Sequence, residues 1–147
     1  MSLTGSLYLV TDDDLKSLIN NKFKSLEKFS ESVDLSSFAI DFLEILSKYS
    51  DIDKNSIGKI LQGNDTFQPD DGFIGYSKTT EVKENKIEIL DKISNENFIE
   101  YLIQGEVDKN PHTPTQNRDF LLRYFDRIKQ AYENAVNENM ALIFRIG

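Results

Sequence analysis

The chain has 147 residues, 39% of them hydrophobic and 29% charged, enough for one domain with a buried core and no covalent staples. It contains no cysteine, which excludes disulfides, thiolate nucleophiles and cysteine-ligated metal centres. A formal charge of −8 argues against phosphate backbones and anionic membrane surfaces, both of which need clustered Lys and Arg, and suits a basic partner instead. No apolar run is long enough to span a membrane. Asp12, Asp13 and Asp14 stand where the apolar part of a signal peptide would fall, so a cytoplasmic protein is expected.

Gly5 to Val10 predicts a first strand. Thr11 with Asp14 three residues later resembles a capping box, and three acids meet the positive end of the helix that follows. Leu15, Leu18, Ile19, Phe23 and Leu26 recur at helical spacing, predicting a helix to about Lys28. Asp34 is a candidate cap for a second helix, with Leu35, Phe38, Phe42, Ile45, Leu46 and Tyr49 on its apolar side. Asp53 can cap a third helix carrying Ile57, Ile60 and Leu61, which Gly63 stops. Asn64 to Gly72 reads as a turn-rich loop, and Gly72 to Ser77 as a central strand.

A helix is predicted from about Thr80, although Lys86 to Leu90 also alternates like a strand. Ser94 can cap a short helix with Phe98, Ile99, Leu102 and Ile103, and a polar loop with Pro111 and Pro114 follows. The strongest pattern runs from about Asn117 to Asn137, where Phe120, Leu121, Tyr124, Phe125, Ile128, Ala131, Tyr132 and Ala135 share one face. Met140 to Ile146 predicts a buried last strand. The expected fold is α+β: a single domain, with a small mixed sheet of three to four strands covered by five to six helices.

Several of these segments together resemble the YfbM-like family of small uncharacterised bacterial proteins. They are Gly5-Ser-Leu-Tyr-Leu-Val-Thr-Asp-Asp-Asp-Leu, Asp51-Ile-Asp-Lys54, Ile74-Gly-Tyr76 with Thr80-Glu-Val-Lys83, and the closing helix and strand. The chain departs from the family pattern after Asp53-Lys54, where the family carries a Trp and a His and this chain has Ser56 and Ile57. The resemblance implies a fold and a bacterial cytoplasmic setting, and brings no established activity with it.

No motif carries a reaction by itself. Asp51-Ile-Asp-Lys-Asn55 opens like a calcium-binding EF-hand loop, but its sixth and twelfth positions are Ser56 and Gln62 where glycine and a bidentate glutamate are needed, so helix capping is the expected role. Asp65, Asp70 and Asp71 can gather around Mg²⁺ or serve as solvated turn residues, and the latter is expected. His112, the single histidine, lies in the proline-flanked loop without a marked nucleophile. Asp119, Arg123 and Arg127 at i, i+4, i+8 form either an ion-pair ladder or an anion contact with a guanidinium fork.

The expected function is a non-enzymatic binding or interaction module, immunity-like or regulatory, whose acidic residues 64–108 face a basic partner. No cofactor, metal, nucleic acid or membrane is expected, and the protein is expected as a monomer or weak homodimer. The alternative is an anionic-ligand site or enzyme pocket at the end of the Gly72–Tyr76 strand, built from Gly75, Tyr76, Arg123 and Arg127.

Overall fold

The structure is a computed structural model, and it describes residues 5–34, 39–68, 72–113 and 118–146. The element order is β1 (Gly5–Val10), α1 (Asp12–Asn20), β2 (Val33–Asp34), α2 (Ala39–Tyr49), α3 (Lys54–Gln62), β3 (Asp65–Phe67), β4 (Phe73–Ser77), α4 (Thr79–Glu88), α5 (Asn95–Val107), α6 (Arg118–Glu138) and β5 (Ala141–Ile146), with 3-10 turns at Leu26–Lys28 and Leu90–Lys92. The strands form one five-stranded sheet in the order β2-β1-β5-β4-β3, and every pairing is antiparallel. This is the expected α+β domain, with one strand more than anticipated and no parallel pair. The chain leaves the sheet at Ser77 and re-enters beside it, Ser77 facing Leu142, so β5 has to run back along β4. Among the described residues no helix is long and apolar enough to cross a membrane.

The sheet is buried on both faces. Leu7, Leu142 and Phe144 point towards α2–α6 and form one core with Phe42, Phe98, Phe125, Ile128 and Tyr132. Tyr8, Val10, Ile74, Ala141 and Ile143 point the other way, under Leu15, Leu18, Phe23 and Leu26. That arrangement makes β5, not β4, the central strand. Its run Ala141–Phe144 is fully buried, as a strand covered on both faces requires, whereas β4 contains a glycine and a half-buried tyrosine.

Capping follows the sequence closely. Thr11 accepts from Asp14 N at 3.0 Å, Asp53 from Ser56 N at 3.3 Å, and Ser94 from Asn97 N at 3.0 Å. Asp53 therefore caps a helix over Lys54–Gln62, where an EF-hand would run as a loop. The first helix is shorter than its apolar spacing predicts, ending at Asn20, because Lys22 and Phe23 adopt left-handed backbone (φ 58° and 61°). Phe23 then turns into the second core, its ring 5.6 Å from those of both Phe67 and Tyr76, and that burial offsets the backbone strain. The ambiguous segment 86–90 is helical to Glu88 and then tightens into the 3-10 turn. The expectations for Leu35, Phe38, Asp70, Asp71, Pro114 and Asn117 lie outside the described residues.

The tightest joint lies between α3 and β4. A Cβ on Gly75 would sit 1.8 Å from the Gln62 carbonyl oxygen, and one on Gly63 (φ 76°) would sit 2.4 Å from the Tyr76 nitrogen. Beyond it, Asn64 N–H donates to the Tyr76 carbonyl at 3.0 Å. The Asn64 side-chain carbonyl accepts from Ser77 Oγ at 2.7 Å and Asn85 Nδ2 at 2.8 Å, joining α3, β4 and α4. Gly75→Ala is expected to cost about 3 kcal/mol, because both colliding atoms belong to backbone. Gly58→Ala, inside α3 and 3.2 Å from the movable Gln62 Oε1, is expected to stabilise by about 0.5–1 kcal/mol. Urea unfolding midpoints of the two variants check both signs.

Candidate functional site

The residues expected to share a strand-end pocket are not brought together. Gly75 and Tyr76 are consecutive in β4 and face opposite sides of the sheet: Gly75 lies against the Gln62 carbonyl, and Tyr76 against Phe23 in the second core. The Tyr76 hydroxyl has its pKa raised, first by burial and then by Asp65 and Glu81. At the carboxyl ends of β1 and β4 the helices α1 and α4 start side by side, and Asp12 joins them, accepting from Thr79 N at 3.2 Å and from the Thr79 hydroxyl. The protein's own carboxylate thus occupies the helix N-terminus where an anionic ligand would bind. The adjoining groove, about 380 Å³, is lined by Asp12, Leu15, Lys16, Ile19 and Lys78 and by none of the four expected residues.

The arginines of α6 separate as well. Arg118 forms a bidentate pair with Glu106 of α5. Arg123 lies over the Phe120 ring, 5.2 Å from its centroid. Neither Arg123 nor Arg127 makes an ion pair among the described residues, so the Asp119–Arg123–Arg127 ladder does not form. Arg127 instead lines a groove of about 350 Å³ with Gln130, Ala131 and Asn134 of α6, Leu9 of β1, and Ser32, Val33 and Asp34.

A roomier cleft, about 620 Å³, opens where the α2–α3 turn, the end of α4 and α5 meet. Its walls carry the carboxylates Asp51, Asp53 and Glu88 and one cation, Lys92, with Ser50, Ser56, Asn97 and Tyr101 between them over Ile52, Ile89 and Ile93. Asp53 is fixed by its cap on Ser56 N, and Ser94 by its reciprocal box with Asn97. The Tyr101 pKa is raised by burial, then by Asp51 and Glu100, which places a negative potential on this wall. The Asp51-x-Asp53 pair is visible in the sequence, but Glu88, Lys92 and Tyr101 come from helices remote in the chain and carried no local signal. Chemically, the cleft offers acceptors, an aromatic ring and a shallow apolar floor, a combination that suits a hydrated cation on an aliphatic stem.

His112 is held by Asp41 at the start of α2, with Nδ1 2.8 Å from Oδ1, and is not free in its loop. Its loop is tied down further by Asn110 Nδ2 donating to the Tyr49 hydroxyl at 3.2 Å. Among the described residues no three His, Cys, Asp or Glu side chains gather closely enough to hold a metal ion.

The fold and these sites define a small α+β protein with an acidic cleft on its helical side. The chain belongs to the family described as Domain of unknown function (DUF1877), whose model matches residues 1–145. Among solved structures it is similar to "The Crystal Structure of a Protein of Unknown Function YfbM from Escherichia coli", at 15% identity and a TM-score of 0.66, covering 98% of this chain and 99% of that one. At that identity the likeness shows the fold alone. No curated protein matches the chain.

Two buried tyrosines of α6 give a test of the packing around these sites. The Tyr132 hydroxyl donates to the Ile60 carbonyl at 2.6 Å, whereas the buried Tyr124 hydroxyl, close to Asp34, has no hydrogen-bond partner among the described residues. Tyr132→Phe is expected to cost about 1–2 kcal/mol, and Tyr124→Phe to be neutral or stabilising. Burial raises both pKa values above the ordinary 10.0, with Asp34 adding to the rise at Tyr124. The unfolded chain then releases these protons from about pH 10 while the folded chain keeps them, so stability is intact below pH 10 and falls as pH rises beyond it. Thermal melts across that alkaline range are expected to fall less steeply for Tyr124→Phe than for the unmodified chain.

Proposed function

We propose that this protein is a non-enzymatic binding module that works in the cytoplasm as a monomer or weak homodimer. Its acidic cleft receives a lysine or arginine side chain of a basic protein partner. The carrying observation is the cleft itself: Asp51 and Asp53 of the α2–α3 turn and Glu88 at the end of α4 line one space of about 620 Å³, with Lys92 as the one cation among its described lining residues and Tyr101 as the aromatic wall. A guanidinium or ammonium entering there meets carboxylates at its head and the Tyr101 ring and isoleucines along its stem.

The surrounding charge supports the same reading. Residues 64–116 carry 11 acids and 5 bases, and this most acidic third of the chain supplies the α4–α5 side of the cleft, with Glu88, Lys92, Asn97 and Tyr101. Asp51 and Glu88 are exposed, and exposed ion pairs contribute roughly 0.2–1 kcal/mol each. Recognition by such a surface therefore depends on several contacts together and on electrostatic steering of the encounter. An immunity-like or regulatory role, in which the module masks a basic surface, fits this distribution.

The test is capture of partners from cell lysate at low and at high salt, followed by binding kinetics of the captured protein to the Asp51→Asn/Glu88→Gln variant. The expected result is a partner released by salt, with an association rate reduced about tenfold in the variant. A partner that binds the variant at an unchanged rate, or no salt-sensitive partner at all, would remove the reading.

A further inference from the structure

Among the described residues the outer edge of β1 is paired over only part of its length. β2 has two residues, Val33 and Asp34, paired with Leu7 and Ser6. The Leu7 carbonyl accepts from Ser32 N at 2.7 Å, so Leu7 directs its backbone groups away from β5. In an antiparallel ladder this direction alternates, and Leu9 therefore presents its N–H and C=O outwards as well, at a position where no described strand residue is paired with it. The groove with Arg127 opens at this point, with Leu9, Ser32, Val33 and Asp34 on its sheet side and Arg127, Gln130, Ala131 and Asn134, spaced i, i+3, i+4, i+7, on its helix side. Gln130 Nε2 donates to Asn134 Oδ1 at 2.9 Å, which fixes the two amides, and among the described residues the Gln130 side-chain carbonyl and the Asn134 amide hydrogens have no other partner.

We propose that this groove binds an extended segment of a partner protein as an added strand on β1, with an acidic side chain of that segment on Arg127. The backbone edge at Leu9 supplies pairing that does not depend on sequence, and the guanidinium selects a carboxylate in a planar, two-point contact. No residue of this groove lines the acidic cleft, and the two sites select opposite charges.

The probe is an acetylated and amidated peptide of alternating valine and threonine with one central glutamate, titrated into isotopically labelled protein and followed by amide chemical shifts. Two companions are the same peptide with glutamine for glutamate, and with alternate backbone nitrogens methylated. The expected result is perturbation of the Leu9 amide and of residues 127–134, with binding at least tenfold tighter than for either companion. Arg127→Ala should erase the difference between glutamate and glutamine, while Asp51→Asn/Glu88→Gln leaves it intact, which separates this site from the cleft. No perturbation at millimolar peptide, equal binding of any companion, or equal perturbation by acetate alone would overturn the proposal.

Discussion

The close approach of α3 to β4 is the constraint on which the rest of the architecture depends. Two glycines, Gly63 and Gly75, let the end of a helix lie on the backbone of a strand at a separation that no side chain allows. Once α3 ends there, the chain must turn at Gly63 into β3, and β3 must pair with β4. The Asn64–Ser77–Asn85 hydrogen bonds then fix where α4 departs, and with it the end of α4 and the 3-10 turn after it, which bring Glu88 and Lys92 to the cleft. Gly75 thus serves the cleft through the backbone, by setting the helices that surround it, and not by contact with a ligand.

The same constraint separates the two faces of the sheet into different tasks. The face under α1 is closed by aromatic packing, with Phe23 between Phe67 and Tyr76, and leaves a small groove that Asp12 has already supplied with a carboxylate. The face under α2–α6 holds the larger core, and both the acidic cleft and the Arg127 groove lie on the helices that cover it. Binding surfaces on packed helices keep their side-chain spacing when a partner arrives, which suits recognition by charge position over recognition by induced shape.

What the sequence makes legible follows from how local each signal is. The helix α6 and the strand β5 show as an unbroken apolar stripe and an unbroken apolar run, and the caps at Thr11, Asp53 and Ser94 each need three or four residues to be recognised. β2 and β3 are invisible because two or three residues with turn-forming neighbours have no periodicity of their own, and they exist through pairing with β1 and β4. The end of α1 is equally hidden: Lys22 and Phe23 are helix-compatible residues held in left-handed backbone by the burial of one ring. Asp51 and Asp53 are visible as a pair of acids, but Glu88, Lys92 and Tyr101 across the cleft are 35 or more positions away and meet them by tertiary packing. The expected cluster of Gly75, Tyr76, Arg123 and Arg127 failed to assemble for the complementary reason: adjacent strand residues face opposite ways, and residues four apart on a helix share a face without sharing a neighbour.

Charge position, more than net charge, is what distinguishes the two proposed surfaces. A formal charge of −8 by itself promises general attraction to basic molecules and little selectivity. Placing three carboxylates around a cleft would convert part of that attraction into a contact with a defined side chain, because a cation there also gains an aromatic wall, which offsets part of the rotamer entropy lost on entering. Placing Arg127 in a groove beside Leu9, which no described residue of β2 pairs, would work in the reverse sense, since the acidic remainder of the surface disfavours any acid that is not led to the guanidinium by backbone pairing. A partner that satisfies both surfaces would need a basic residue and an acidic extended segment at the separation of the two sites, and that double requirement is a stricter filter than either charge alone.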